Sequence, residues 1–200
     1  MNMSVSSLPH KVAQTVGESQ LSEKLADAQD FIYQPILDWA VGSPFHTSAL
    51  GHSIHPALTD LTLGCWISAS IIDLVGGPQS RHGATILVGS GVAAAMPTAI
   101  AGAADFAEMT GAERRIAAVH ALGADTGIFL LIGSLIARLR GRHTLGVGLA
   151  LAGNMIVAVA GFFGGHLALN RGTARRATTG PHPTNSGSPM HGSKPAKAHS

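Results

Sequence analysis

Two hundred residues, 46% hydrophobic, 12% charged and 4% aromatic, are too apolar and too poor in charge for an ordinary water-soluble domain. The formal net charge of +2 does not point to nucleic acid, because the cations sit in short segments between apolar runs and in the C-terminal tail, where they read as bilayer anchors and topology signals. The single cysteine, Cys65, excludes a disulfide within the chain, and with no CxxCH motif covalent c-type haem attachment is excluded too.

Residues 1–18 are polar and irregular, and are expected to be flexible. The first 30 residues lack a basic stretch followed by an apolar run, so insertion is expected to rely on the first span. Residues 19–50 form an amphipathic, interfacial helical region. Leu21, Leu25, Ala28 and Ile32 recur at helical spacing opposite Glu23, Lys24, Asp27 and Asp30, which predicts a helix ending near Pro35. A short apolar piece, Ile36 to Val41, follows and stops at Gly42-Ser43-Pro44. Tyr33 and Trp39 are residue types that favour the headgroup level, so the region either lies on the membrane surface or packs on the loops of the domain that follows.

Residues 51–172 contain four apolar stretches, at about 56–75, 84–104, 116–137 and 145–169. At a rise of about 1.5 Å per residue, about 20 residues cross a hydrocarbon core of about 30 Å, so each stretch is long enough to span a bilayer. The connections are short, which makes sequential spans antiparallel. The expected fold class is all-α: an integral membrane four-helix up-down bundle with an N-terminal amphipathic helix. Pro56 suits the first turn of the first span, and Pro97 is expected to kink the second. Gly89, Gly91, Ala93 and Ala94 in the second span, Gly123 and Gly127 in the third and Gly153, Gly161, Gly164 and Gly165 in the fourth allow close helix packing, or leave room for a flat cofactor against the third and fourth helices. Residues 173–200, rich in Gly, Thr, Ser, Pro, His and Lys, are expected to be a disordered tail.

With four spans, both termini and the second connection share one face. Near the spans that face carries Arg114, Arg115, Arg171, Arg175 and Arg176, against Arg81, Arg138, Arg140 and Arg142 on the other, a narrow excess that favours cytoplasmic termini. The same topology gathers His52, His55, Asp105, His120 and His166 toward the terminal face. His120 lies five residues after Arg115 and His166 five before Arg171, which places both about 7 Å inside their flanking charges.

Imidazoles at matched depth on different helices suit axial ligation of haem b, with His120 and His166 as ligands and His52 and His55 as neighbouring cofactor-binding or quinone-facing groups. The alternatives are a divalent metal held by His52, His55, Asp60 and Asp105, and a proton or quinone pathway through Asp125, His120 and Asp60. A scaffold with no cofactor, its histidines bonded to carbonyls, is the non-catalytic reading. Asp73, His82 and His143 read as interface residues. No hydrolase or transferase motif is present, and the expected partners are the lipid bilayer and a quinone or redox protein.

The segment Gly51-His52-Ser53-Ile54-His55-Pro56 resembles the GHPLHP motif of a family of bacterial membrane proteins known as domain of unknown function 2231. Further matches are Asp73-Leu74-Val75-Gly76, Ala95-Met96-Pro97-Thr98 with Gly102-Ala103-Ala104-Asp105-Phe106, Val119-His120-Ala121-Leu122 and Gly164-Gly165-His166-Leu167, in the family's order from about residue 31 to 172. The resemblance implies a four-helix protein of the bacterial inner membrane. It also implies a redox setting, since members are sometimes joined to Rieske iron–sulfur domains, and this chain contains none. Ser53 stands where the family usually has proline, which is expected to loosen the loop presenting the histidines. Asp125 stands near a usual asparagine, which puts a titratable group at mid-membrane.

Overall fold

The computed structural model describes residues 8–41 and 53–173. These are helical, with no strand among them: α1 (Leu8–Glu18), α2 (Gln20–Val41), α3 (His55–Val75), α4 (Arg81–Ala107), α5 (Gly111–Leu139) and α6 (His143–Gly165), which continues through a π-helical turn at His166–Asn170. Four of the helices are long and apolar enough to cross a membrane: α3, α4 with the short turn before it, α5, and α6 with its π turn. Together they form the expected all-α membrane bundle.

Two expectations need correcting. Residues 8–18, expected to be irregular, form α1, whose buried Ala13 and Gly17 supply a small-residue face. A β-carbon on Gly17 would lie 3.3 Å from both Ala112 and Ile116, so α1 rests against the start of α5 at backbone distance. The helix expected to end near Pro35 instead runs through it to Val41. The missing N–H costs an exposed helix one hydrogen bond, and the packing of Leu37 and Ala40, both buried, carries the turn onward. The expected disorder of the tail falls on residues outside the described ones.

Helices α3 with α4, and α5 with α6, form two antiparallel hairpins with the tightest packing in the molecule; α4 with α5 and α3 with α6 close the bundle. Trp66 of α3 is the largest fully buried side chain, and it lies where Gly91 of α4 has no side chain: a β-carbon there would come within 2.3 Å of the indole nitrogen. The second hairpin repeats this contact, with Leu131 of α5 against Gly153 of α6. Asn154 ties α6 to α3, donating to the Trp66 carbonyl at 3.2 Å and the Ser70 hydroxyl at 2.8 Å.

The far end of the bundle is held by a buried ion pair. Arg138, at the last turn of α5, and Asp73, at the last turn of α3, have side chains 0% and 3% exposed and meet through two hydrogen bonds, Nη1 to Oδ1 at 2.9 Å and Nη2 to Oδ2. Arg138 Nε donates to Ser134, whose hydroxyl donates to the Gly146 carbonyl at 2.6 Å. The sequence reads Asp73 as an interface residue and Arg138 as a flanking cation; in the structure each is buried against the other. Each charge is tolerable only because the other is present. Asp73→Ala should therefore lower stability by about 3–5 kcal/mol, whereas Asp73→Leu combined with Arg138→Met should recover most of that loss. Thermal unfolding of the detergent-solubilised variants measures both; a double variant as unstable as the single one would show that the pair does not act as a unit.

Candidate functional site

The other end of the bundle, which carries α1, α2 and residue 173, holds the histidines. His55 opens α3, followed by Pro56 in the first turn. Its Nδ1 lies 2.9 Å from the Thr98 carbonyl of α4, and a β-carbon on Gly102, one turn further on, would come within 2.9 Å of the ring. His120 repeats the arrangement: Nδ1 lies 2.8 Å from the Ala160 carbonyl of α6, and a β-carbon on Gly164 would come within 2.8 Å of the ring. A carbonyl only accepts, so each Nδ1 carries a proton, and in the neutral ring Nε2 is then the nitrogen with the lone pair. Among the described residues no hydrogen bond reaches either Nε2. The two ring centres are 6.3 Å apart with their planes at 88°.

Both rings border an apolar cavity of about 350 Å³, within the size range of small-molecule and cofactor sites. Its polar lining includes Gln29 and Tyr33 of α2, Thr59 and Thr62 of α3, Asp105 of α4 and Asp125 of α5. Tyr33 donates its hydroxyl to Asp125 at 2.5 Å. Gln29 donates to the Ala118 carbonyl at 3.1 Å, while its Oε1 is buried without a hydrogen-bond partner among the described residues.

The start of α3 is firmly tied. The Ser53 hydroxyl, in a residue only 5% exposed, donates to Asp105 at 2.6 Å and accepts the His55 backbone N–H at 3.2 Å. Ser53, expected to loosen this loop, thus fastens the entry to α3. Thr62 and Thr98 share a hydroxyl–hydroxyl bond of 3.0 Å one level deeper.

The expected pairing of His120 with His166 is not what the structure shows. Gly164 is the residue that meets His120, and His166, two positions later, turns to the other side of the helix, where its ring centre lies 5.7 Å from that of His10 in α1. Asp60 also departs from expectation. It is exposed on the outer side of α3 and does not border the cavity. Among the described residues no group of three or more His, Cys, Asp or Glu side chains is placed to hold a metal ion. His52 lies outside the described residues. Tyr33, Gln29, Thr98, Gly102 and Ala160 were not singled out for the site from the sequence, and Gly164 was noted only as a small residue that could leave room for a cofactor. One signal was there: the spacing from His55 to Asp60 recurs from His120 to Asp125, which marks α3 and α5 as repeated elements.

The fold and site together define a four-span membrane bundle with a histidine-bordered cavity at one end. The chain belongs to the family described as predicted membrane protein, DUF2231, which matches residues 51–177. No curated protein and no solved structure matches it.

Tyr33 reports directly on this site because it is the only tyrosine in the chain. Burial, and then the hydrogen bond and negative charge of Asp125, push its pKa up to about 12. A raised pKa means that the folded state holds the proton more tightly than the unfolded chain. The stabilisation is complete below about pH 10, the unfolded value, and is lost as pH rises through about 12. Absorbance titration of tyrosinate should give a midpoint near that value, and Asp125→Asn should move it partway toward about 10. An ordinary midpoint in the unsubstituted protein would contradict the Tyr33–Asp125 contact.

Proposed function

We propose that this protein is a redox membrane subunit in which His55 and His120 ligate the iron of a b-type haem seated in the terminal-face cavity. The observation that supports it is the geometry of the two rings. Imidazoles that bind one metal ion from opposite sides through Nε2 have ring centres about 6 Å apart, twice the sum of a bond of ~2 Å and the ~1 Å from nitrogen to ring centre. The observed separation is 6.3 Å. Each ring already donates Nδ1–H to a carbonyl, the outer contact that fixes the tautomer and orientation of a ligating histidine. Bound haem would supply one-electron chemistry.

The chain's own residues then have defined tasks. Thr98 and Ala160 orient the imidazoles through their carbonyls, Gly102 and Gly164 make room for them, and Ser53 with Asp105 fixes the start of α3. Tyr33, with Gln29, Ile36 and Leu37 of α2, forms one wall of the cavity. This reading keeps the haem expected from the sequence and moves one ligand from His166 to His55.

A second reading has one specific observation in its favour. The buried, unpartnered Gln29 Oε1 at the cavity is an acceptor in need of a donor, and a lipid-soluble quinol offers a hydroxyl on an apolar body.

The test is the absorption spectrum of protein produced with haem supplied and purified in detergent. The expected result is a Soret band, with a reduced α-band after dithionite. His55→Ala and His120→Ala should each abolish it, Gly102→Val and Gly164→Val should do so with both histidines present, and His166→Ala should leave it unchanged. Absence of a Soret band in the unsubstituted protein would refute haem binding. Co-purified quinone in that same preparation, lost on Gln29→Leu, would support the quinol reading.

A further inference from the structure

Helix α2 has three chemically distinct sides. One, with Ala26, Gln29, Tyr33, Leu37 and Ala40, is turned to the bundle, and all of these except Tyr33 are fully buried. A flank carries Glu23, Asp27 and Asp30, and these three carboxylates converge on Arg114 at the start of α5, at 3.2 Å, 2.8 Å and, for Asp30, through both Nε and Nη2. Arg115 adds an ion pair to Glu23 and donates to the Gly17 carbonyl. The third side, with Ala28, Phe31, Ile32, Pro35, Ile36 and Trp39, carries no charge and is exposed: Phe31 86%, Ile32 65%, Ile36 49% and Trp39 56%.

An amphipathic helix needs one apolar side to pack on its own protein; a second, on the solvent side of a helix in water, is unfavourable in proportion to its area. We infer that the Phe31–Trp39 stripe is a lipid-contact surface, and that α2 rests in the interfacial layer of the bilayer against the mouth of the bundle. Three observations select lipid as the occupant. The contacts to Arg114 and Arg115 fix α2 at the first turn of α5, where that membrane-crossing helix begins. The stripe lies beside exposed apolar surface of a span, since Ile36, 49% exposed, borders the same cavity as Met96 of α4, 63% exposed. Trp39 is the residue type that concentrates at this level, and Lys24, exposed at the edge of the stripe, has the reach to place its ammonium among lipid phosphates. Arg114 draws Glu23, Asp27 and Asp30 to the flank, and Asp38, about two turns beyond Asp30 on that same flank, accepts from Gln34 at 2.8 Å. This inference does not depend on the cofactor reading.

The chain has two tryptophans, Trp39 and the buried Trp66, so the difference in emission between the full-length protein and its Trp39→Phe variant isolates Trp39. The experiment reconstitutes both in nanodiscs of phosphatidylcholine and phosphatidylglycerol. Some lipids carry a nitroxide near the headgroup or at the chain end, and iodide serves as the aqueous quencher. Trp39 emission is expected to be quenched several-fold more by the shallow nitroxide than by the deep one or by iodide. Strong iodide quenching without lipid quenching would place the stripe in water and overturn the inference. Protection from all three quenchers would show it covered by protein, as in an interface with a second copy, and would overturn it equally.

Discussion

An imidazole that enters an apolar helix bundle needs space for its ring and an acceptor for its N–H. In each hairpin of this protein one turn of the facing helix supplies both. The carbonyl of Thr98 or Ala160 accepts the proton, and the glycine four residues later leaves the gap in which the ring lies. A buried imidazole N–H without a partner would be costly in this setting, and here the satisfied bond also fixes which nitrogen stays available. The cavity, the pairing of His55 with His120 and the alignment of α3 on α4 and of α5 on α6 all follow from these two contacts. Small residues in membrane helices usually permit backbone contact and nothing more; Gly102 and Gly164 make room for a polar ring.

Charge is handled differently at the two ends. At the far end Asp73 and Arg138 are withdrawn from solvent altogether, with Ser134 and Gly146 completing the network. At the terminal end Arg114 and Arg115 face α2 and its carboxylates. Several of the arginines that a topology count treats as free flanking cations are thus neutralised inside the protein. A narrow excess of arginine at one face is weak ground for sidedness when the same residues serve as internal fasteners.

Much of the fold was legible because the bilayer constrains it so strongly. Four stretches of apolar residues joined by short connections admit few arrangements, and the spans begin and end within a few residues of where composition places them. What depends on the rotation of one helix against another was not legible. His166 and His120 lie at matched depth, and depth was the only coordinate the sequence supplied; the two-residue step from Gly164 decides that His166 meets α1. Asp60 failed for another reason: Asp125 stands equally five residues after its histidine, yet it borders the cavity and bonds Tyr33 of α2, whereas Asp60 is exposed. Helix α1 was missed because its packing face is built of Ala13 and Gly17, which leave little trace in a hydrophobic pattern.

The repeat between the hairpins explains why the site is single. His55 and His120 occupy equivalent places, as do Trp66 and Leu131, Gly91 and Gly153, and Gly102 and Gly164. A bundle built on that plan alone would offer the same surroundings to Asp60 as to Asp125. Helix α2 breaks the equivalence by packing on α4 and α5 and not on their counterparts α6 and α3, so that Tyr33 reaches Asp125 while Asp60 stays exposed. The N-terminal helix is what makes a near-symmetric pair of hairpins unequal, by adding a wall to the cavity beside Asp125. Its placement rests on Arg114: without that cation three carboxylates would crowd one flank of α2 with nothing to gather them, and the tyrosine would lose the anchor that holds it over the histidines.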